Sequence, residues 1–75
     1  MKELVLFIAK ELVNHPEEVS VTEVDKDGIL TLELRVHEED MGKVIGKQGK
    51  IAKAIRTVVK AASMKEDKKV HVEIV

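Results

Sequence analysis

The residues best suited to bind a ligand are two glycines, Gly46 and Gly49, separated by Lys47 and Gln48. Because glycine has no Cβ, a loop of this kind can bring backbone amides close to an anion. If the loop opens a helix, the unpaired N–H groups and the helix dipole at that end add to the attraction. The spacing therefore predicts an anion-binding turn at the start of a helix.

Positive charge is concentrated around this loop, although the whole chain is nearly neutral. The sequence has 13 Lys and Arg against 14 Asp and Glu, a formal net charge of −1. Residues 41–60 contain no acidic side chain and six basic ones: Lys43, Lys47, Lys50, Lys53, Arg56 and Lys60. Because salt screens charges beyond about 8–10 Å, a local patch matters more to a polyanion than the total. The composition permits one basic patch and argues against a protein that coats nucleic acid with its whole surface.

The residues after the loop have the pattern of an amphipathic helix. Lys50, Lys53, Arg56 and Lys60 fall within about 120° of arc on a helical wheel. Most of the opposite side is apolar, as expected for a helix packed on a sheet, and consists of Ile51, Ala54, Ile55, Val58, Val59, Ala61 and Ala62. The alternative is a face that is merely solvated. Such a face usually includes Glu spaced to pair with Lys, and this run has none.

The N-terminal half predicts a helix followed by a β-hairpin. A helix over residues 2–14 is expected to end before Pro16. Its buried face is predicted to contain Leu4, Val5, Ile8 and Leu12, and Phe7 is also expected in the core. Strands over 19–24 and 29–36 flank a turn at 25–28. The second strand alternates cleanly, with one face made of Leu30, Leu32, Leu34 and Val36.

The C-terminal half predicts two helices and a last strand. Glu38, Glu39 and Asp40 are expected in the first turn of a short helix ending at Ile45, where they complement the helix dipole. A long helix over 50–63, a polar connection over 64–69 and a strand over 70–74 follow. A right-handed crossover would place this strand parallel to the second one. The fold class is therefore α+β, with two layers, order α-β-β-α-α-β and a three-stranded mixed sheet carrying its helices on one face.

This arrangement, with GxxG between the two central helices, resembles the type II KH domain of prokaryotic proteins. The run of residues 42–59 is similar to the small stand-alone bacterial KH proteins of the KhpA family. The resemblance covers the whole chain and implies a single KH domain over residues 1–75. One position departs from the KH pattern, which favours isoleucine three residues after the second glycine, where this chain has Ala52. A shallower or differently placed groove is expected there.

The resemblance implies single-stranded RNA binding without chemistry on the RNA. The backbone at Gly46 and Gly49 would approach phosphates, and Lys47 and Gln48 would project toward them. The positive field would be extended by Lys43, Lys50, Lys53 and Arg56. The apolar groove under the bases would draw on Val44, Ile45, Ile55 and Leu34, although Ile45 and Ile55 are expected mainly in the core. The family also implies a homodimer, or a heterodimer with a larger KH-containing protein, acting as an RNA chaperone or post-transcriptional regulator.

Other functions find little support in the sequence. Gly42 and Gly46 have three residues between them where a P-loop needs four. His15, His37 and His71 lie in separate segments without metal-ligand spacing, so no metal or other cofactor, no small-molecule substrate and no enzymatic activity are predicted. The longest early apolar run, six residues before Lys10, is too short for a membrane span, and a cytoplasmic protein is expected. A protein–protein interaction module, whose GxxG is only a helix-start turn, and a single-stranded DNA binder remain alternatives.

Overall fold

The secondary structure follows the predicted order in a computed structural model that describes residues 1–65 and 69–75. Its helices are α1 (Lys2–Leu12), α2 (Met41–Ile45) and α3 (Lys50–Met64), and its strands are β1 (Ser20–Lys26), β2 (Ile29–Arg35) and β3 (Lys69–Ile74). Single 3₁₀ turns lie at Pro16–Glu18, Glu38–Asp40 and Lys47–Gly49. The α-β-β-α-α-β prediction is confirmed. The predicted connection over 64–69 includes residues 66–68, which lie outside the described residues.

The sheet has β2 at its centre. β1 pairs with β2 antiparallel, with Val21 opposite Leu34, and β3 pairs with β2 parallel, with Val72 opposite Leu32. The strand order is β1-β2-β3. The hairpin turn is tighter than predicted, because Asp27 and Gly28, with φ of 54° and 78°, form a two-residue loop. Two consecutive positive φ values match the right-handed twist of the flanking strands.

The core lies between one face of the sheet and the helices. Its largest fully buried aliphatic side chains come from α1, β2, α2 and α3, and are Val5, Leu32, Leu34, Val44 and Val59. The register places Val21, Leu32 and Leu34 on the same face of the sheet as Val72. The prediction of helices on one face of a mixed sheet is confirmed. None of the helices in the described ranges has the length and apolar character needed to cross a lipid bilayer.

The buried face of α1 differs from the prediction. Val5 and Ala9 are buried, whereas Phe7 is 65% exposed and Leu12 is 37% exposed. Phe7 lies about 200° around the helix axis from Val5, so it points away from the core. The expectation that Phe7 and Leu12 are core residues is wrong.

The buried stripe of α3 is narrower than predicted. It consists of Ala52, Ile55, Val59 and Ser63, which follow one another at helical spacing. Ile51 and Ala62 are partly buried. The remaining apolar residues, Ala54, Val58 and Ala61, are exposed, and Val58 keeps 45% of its surface. These three residues are called the α3 apolar strip below.

The three acidic residues predicted at a helix start, Glu38, Glu39 and Asp40, form the 3₁₀ turn directly before α2, and Asp40 has a further role there. Its carboxylate is fully buried and accepts hydrogen bonds from the backbone N–H groups of Asn14, at 3.2 Å, and His15, at 3.0 Å. Burial acts to raise the pKa of this carboxyl. The two backbone hydrogen bonds, together with His15 and His37, outweigh that effect and hold the pKa of Asp40 below its ordinary value. Asp40 therefore ties the chain after α1 to the segment before α2.

Candidate nucleic-acid interface

The GxxG loop joins α2 to α3 through a backbone that needs glycine most strongly at Gly46. Gly46 has φ 76° and ψ 175°, a region that residues other than glycine rarely adopt. A Cβ there would collide with the side chain of Ile51 and lie 3.0 Å from its backbone nitrogen. Gly49 has φ 73°, but a Cβ there would meet open space. Gly46 is thus required for both conformation and packing, and Gly49 for conformation alone.

Two backbone hydrogen bonds close the GxxG loop. The N–H of Gly46 donates to Gly42 O at 2.9 Å, and that of Gly49 donates to Gly46 O at 3.3 Å. Lys47 and Gln48 lie between these two glycines, in a single 3₁₀ turn. Both side chains are exposed. The loop therefore presents Lys47 and Gln48 to solvent directly before the N-terminus of α3.

Six exposed basic side chains lie on the loop and on the two helices that it joins. Lys43 lies on α2, Lys47 lies in the loop, and α3 carries Lys50, Lys53, Arg56 and Lys60, all of them exposed. None of them makes a salt bridge with an acidic group in residues 1–65 or 69–75. We call these six side chains the basic face. Since no described acid neutralises it at close range, it retains a positive field toward solvent.

A groove of about 450 Å³ lies between the C-terminal half of α3 and β3. It is lined by Arg56, Lys60, Ser63, Met64, Lys69, Val70, His71 and Val72. Arg56 and Lys60 belong to both the basic face and the groove, so the two surfaces are continuous. Arg56 Nε donates to Val72 O at 3.3 Å, which fixes this side chain against β3. We call this feature the α3–β3 groove.

The apolar residues that the sequence proposed for a base-binding groove do not line the α3–β3 groove. Leu34 and Val44 are fully buried and Ile55 nearly so, which leaves their side chains no surface for a base. Ile55 is a core residue as expected, whereas Ile45 is 36% exposed and the expectation that it is mainly core is wrong. Ala52 is buried and does not line the groove. The sequence could have indicated that β3 lines the groove, because the predicted crossover places the strand after α3 directly beside that helix.

Two of the three histidines, His15 and His37, lie together, although their positions in the sequence suggested that all three are separate. The rings of His15 and His37 stack, with centroids 4.2 Å apart and planes at 26°. Glu39 lies beside them, with Oε1 3.3 Å from His15 Nε2. His71 is separate and lines the α3–β3 groove. Sequence spacing missed the pair because His15 precedes β1 and His37 follows β2, and the hairpin brings the two ends together.

Comparison with known proteins agrees with this geometry. A family model described as the KH domain of KhpA/KhpB matches residues 2–74. The chain belongs to this family. A Clostridium perfringens relative named RNA-binding protein KhpA is 68% identical over 75 residues, covering all of both chains. Relatives with the same name from Listeria monocytogenes and Bacillus subtilis are 57% and 47% identical, cover 100% and 99% of this chain, and are themselves covered over 99% and 91%.

A solved structure shares the fold at low sequence identity. The crystal structure of Aquifex aeolicus Era bound to GDP and aluminium fluoride superposes with a TM-score of 0.63 at 21% identity. The match covers 97% of this chain and 28% of the Era chain. The similarity therefore concerns one part of that protein and shows the shared fold alone.

Proposed function

We propose that this chain is a single KH domain that binds single-stranded RNA, with phosphates at the GxxG loop and bases in the α3–β3 groove. The observation that carries the proposal is that three features lie together: a glycine loop with two exposed residues between its glycines, a basic face without described acidic partners, and an apolar groove rimmed by Arg56 and Lys60. The names of the relatives, RNA-binding protein KhpA, support the choice of ligand.

Phosphate recognition is assigned to the loop and the start of α3. The amides of Lys47 and Gln48 donate to phosphate oxygens, and the glycines let the RNA backbone come close. Lys43, Lys50 and Lys53 add positive charge without reading sequence. Because such contacts release counterions, binding weakens steeply as salt rises.

Base recognition is assigned to the α3–β3 groove. Its aliphatic surface comes from Met64, Val70 and Val72, and its lining includes no Phe, Tyr or Trp among the described residues. Aromatic stacking, which contributes about 1–3 kcal/mol per base elsewhere, is therefore absent from these contacts. One copy binds weakly and with little sequence preference, as expected when phosphate contacts dominate.

Weak binding by one copy becomes useful when two copies act together. The proposed unit is a homodimer, or a heterodimer with a larger KH-containing protein, acting in the cytoplasm as an RNA chaperone or post-transcriptional regulator rather than an enzyme. The α3 apolar strip, exposed on the side of α3 away from its buried stripe, offers a contact surface for such an association.

The test is a charge reversal in the loop. Lys47→Asp combined with Gln48→Asp should reduce RNA affinity at least tenfold, because new negative charge faces the phosphates while no buried side chain changes. The matched control is Ser20→Asp with Lys26→Asp, the same charge change on exposed positions of β1, at the opposite edge of the sheet. Equal affinity of the folded loop variant and the control would contradict the proposed role of the loop.

The same assay separates the alternatives. Competition between RNA and DNA of one sequence distinguishes an RNA binder from a single-stranded DNA binder, because only RNA offers a 2′-hydroxyl. Absence of RNA binding at low salt, together with a protein ligand whose affinity is insensitive to salt, would instead support the interaction module.

A further inference from the structure

His15, His37 and Glu39 place three potential metal ligands at one point of the surface. One nitrogen or oxygen from each lies within 4.8 Å of the others. Glu39 Oε1 is 3.3 Å from His15 Nε2 and 3.7 Å from His37 Nδ1. Ligands bound to Zn²⁺ at about 2.0–2.1 Å in a tetrahedron lie about 3.3–3.4 Å from one another. Glu39 Oε1 and His15 Nε2 are thus at the separation of two ligands on one ion, and His37 lies near enough to become the third after its ring rotates.

The fold, rather than chance exposure, assembles the cluster. Asp40 accepts a hydrogen bond from the backbone N–H of His15 and follows Glu39 directly in the chain, so one buried carboxylate positions both. His37 Nδ1 accepts from the backbone N–H of Glu39 at 3.0 Å, which orients the His37 ring. Ligation through Nδ1 requires this half-buried ring to rotate away from that N–H. This rotation also ends the stacking of the His15 and His37 rings, so that the in-plane lone pairs of both can point to one ion.

The charge around the cluster favours a cation. Glu17 Oε1 is 3.7 Å from His15 Nδ1, and Glu18 Oε2 is 3.6 Å from His37 Nε2. His15 also groups with Glu17 and Glu18 as a second set of ligands within the same limit of 4.8 Å. Residues 11–25 and 36–42, which form this region, contain no Lys or Arg. The carboxylates next to the two imidazoles therefore make this part of the surface attractive to a cation.

We propose that His15, His37 and Glu39 bind one divalent transition-metal ion of the zinc class. Two imidazoles and a carboxylate suit Zn²⁺ and its neighbours, whereas Mg²⁺ and Ca²⁺ prefer oxygen ligands alone. Glu17 or Glu18 supplies a further oxygen. The site joins the segment after α1 to the segment before α2, and it is separate from the GxxG loop and the α3–β3 groove. Its occupancy stabilises the fold because the unfolded chain does not hold these ligands together.

The test is calorimetric titration of the metal-free protein with ZnCl₂ near neutral pH. The expected result is one ion per chain, with an increase in Tm on binding and no comparable response to MgCl₂. His15→Ala or His37→Asn should each weaken zinc binding by at least tenfold, since removal of even a group that only hydrogen-bonds to a ligand costs about 10–100-fold. Asparagine at position 37 keeps an acceptor for the Glu39 N–H, which protects the local fold.

His71→Ala is the matched control, because it removes the third histidine from the α3–β3 groove and leaves the cluster intact. It should bind zinc as the unaltered chain does. The proposal is overturned if the unaltered chain shows no saturable zinc binding. It is also overturned if folded His15→Ala and His37→Asn variants bind as tightly as the His71→Ala control. Neither result depends on whether the chain binds RNA.

Discussion

The two glycines of the loop share a motif but meet different physical constraints. Gly46 adopts φ 76° with ψ 175° and lies against Ile51, whereas Gly49 adopts left-handed helical angles in open space. The GxxG motif alone does not distinguish the two positions. The structure predicts that substitutions at Gly46 and Gly49 change the stability of the fold by different amounts.

Gly46→Ala should therefore destabilise the fold far more than Gly49→Asn. The backbone conformation at Gly46 alone costs about 1–3 kcal/mol for a residue with a Cβ, and the collision with Ile51 adds to this. Asparagine adopts the left-handed angles of Gly49 more readily than other residues that carry a Cβ. Urea unfolding of both variants measures the difference. Equal losses of stability would show that the conformation of Gly46 has been misassigned.

Asp40 predicts a specific dependence of stability on pH. Because its folded pKa lies below the ordinary value of 3.8, the ionised carboxylate stabilises the fold above that value. This contribution is lost as the pH falls from about 4 through the lowered folded pKa. Asp40→Asn should thus lower Tm by several degrees at pH 5, and the difference from the unaltered chain should shrink below the ordinary pKa.

The control for this experiment is Glu38→Gln, which removes a neighbouring carboxylate that is exposed. It should leave Tm at pH 5 nearly unchanged. A difference between Asp40→Asn and the unaltered chain that stays constant down to the lowest pH would contradict the assigned pKa direction.

At the scale of elements, α3 has three faces with different environments. One stripe packs on the sheet, the α3 apolar strip is exposed, and the basic side chains continue from the loop to the groove. Arg56 connects the basic face to the sheet, because its side chain is hydrogen-bonded to β3. This division predicts that each lysine of the basic face contributes to RNA binding through charge alone.

Replacing Lys53 or Lys60 by alanine should weaken RNA binding and reduce the salt slope by about 0.7 for each phosphate that is no longer neutralised. Affinities at several salt concentrations give this slope. Lys10→Ala, an exposed lysine on α1, is the control and should leave the slope unchanged. Identical slopes for all three variants would show that α3 does not bind the phosphates.

Much of this architecture could be predicted from the sequence, and the failures have physical causes. Alternation in residues 29–36, the turn at Gly28 and the helical spacing after Gly49 depend on local chemistry, so they predicted the elements and the loop. Phe7 was misplaced because α1 has apolar residues on several sides, and only the position of the sheet decides which are buried. The burial and hydrogen bonds of Asp40 were not predicted, because its partners lie 25 and 26 residues away. The groove also depends on tertiary packing of α3 against β3.

At the scale of the whole molecule, the α3–β3 groove and the His15–His37 cluster lie in different places. The α3–β3 groove lies at the β3 edge, whereas the His15–His37 cluster lies beside the ends of α1 and β2. The proposed RNA binding and the proposed metal binding therefore use different residues. Dimer formation through the α3 apolar strip would use a third surface.

Self-association can be tested through Val58. If the strip forms the dimer contact, Val58→Glu should convert the protein from a dimer to a monomer, because a charge would be buried at the interface without a partner. Light scattering after size-exclusion chromatography reports the mass. Phe7→Glu, at another exposed apolar residue, is the control. If the dimer persists in Val58→Glu but is lost in Phe7→Glu, the dimer contact lies on α1 and not on the α3 apolar strip.

The most direct test of the central claim is an NMR titration of the isotope-labelled chain with a short unstructured RNA, first at low and then at physiological salt. We expect shifts in residues 46–56 and in β3, and these shifts should shrink as salt is added. Shifts confined to β1 and the outer face of the sheet, or no shifts at low salt, would contradict RNA binding by the GxxG loop and the α3–β3 groove.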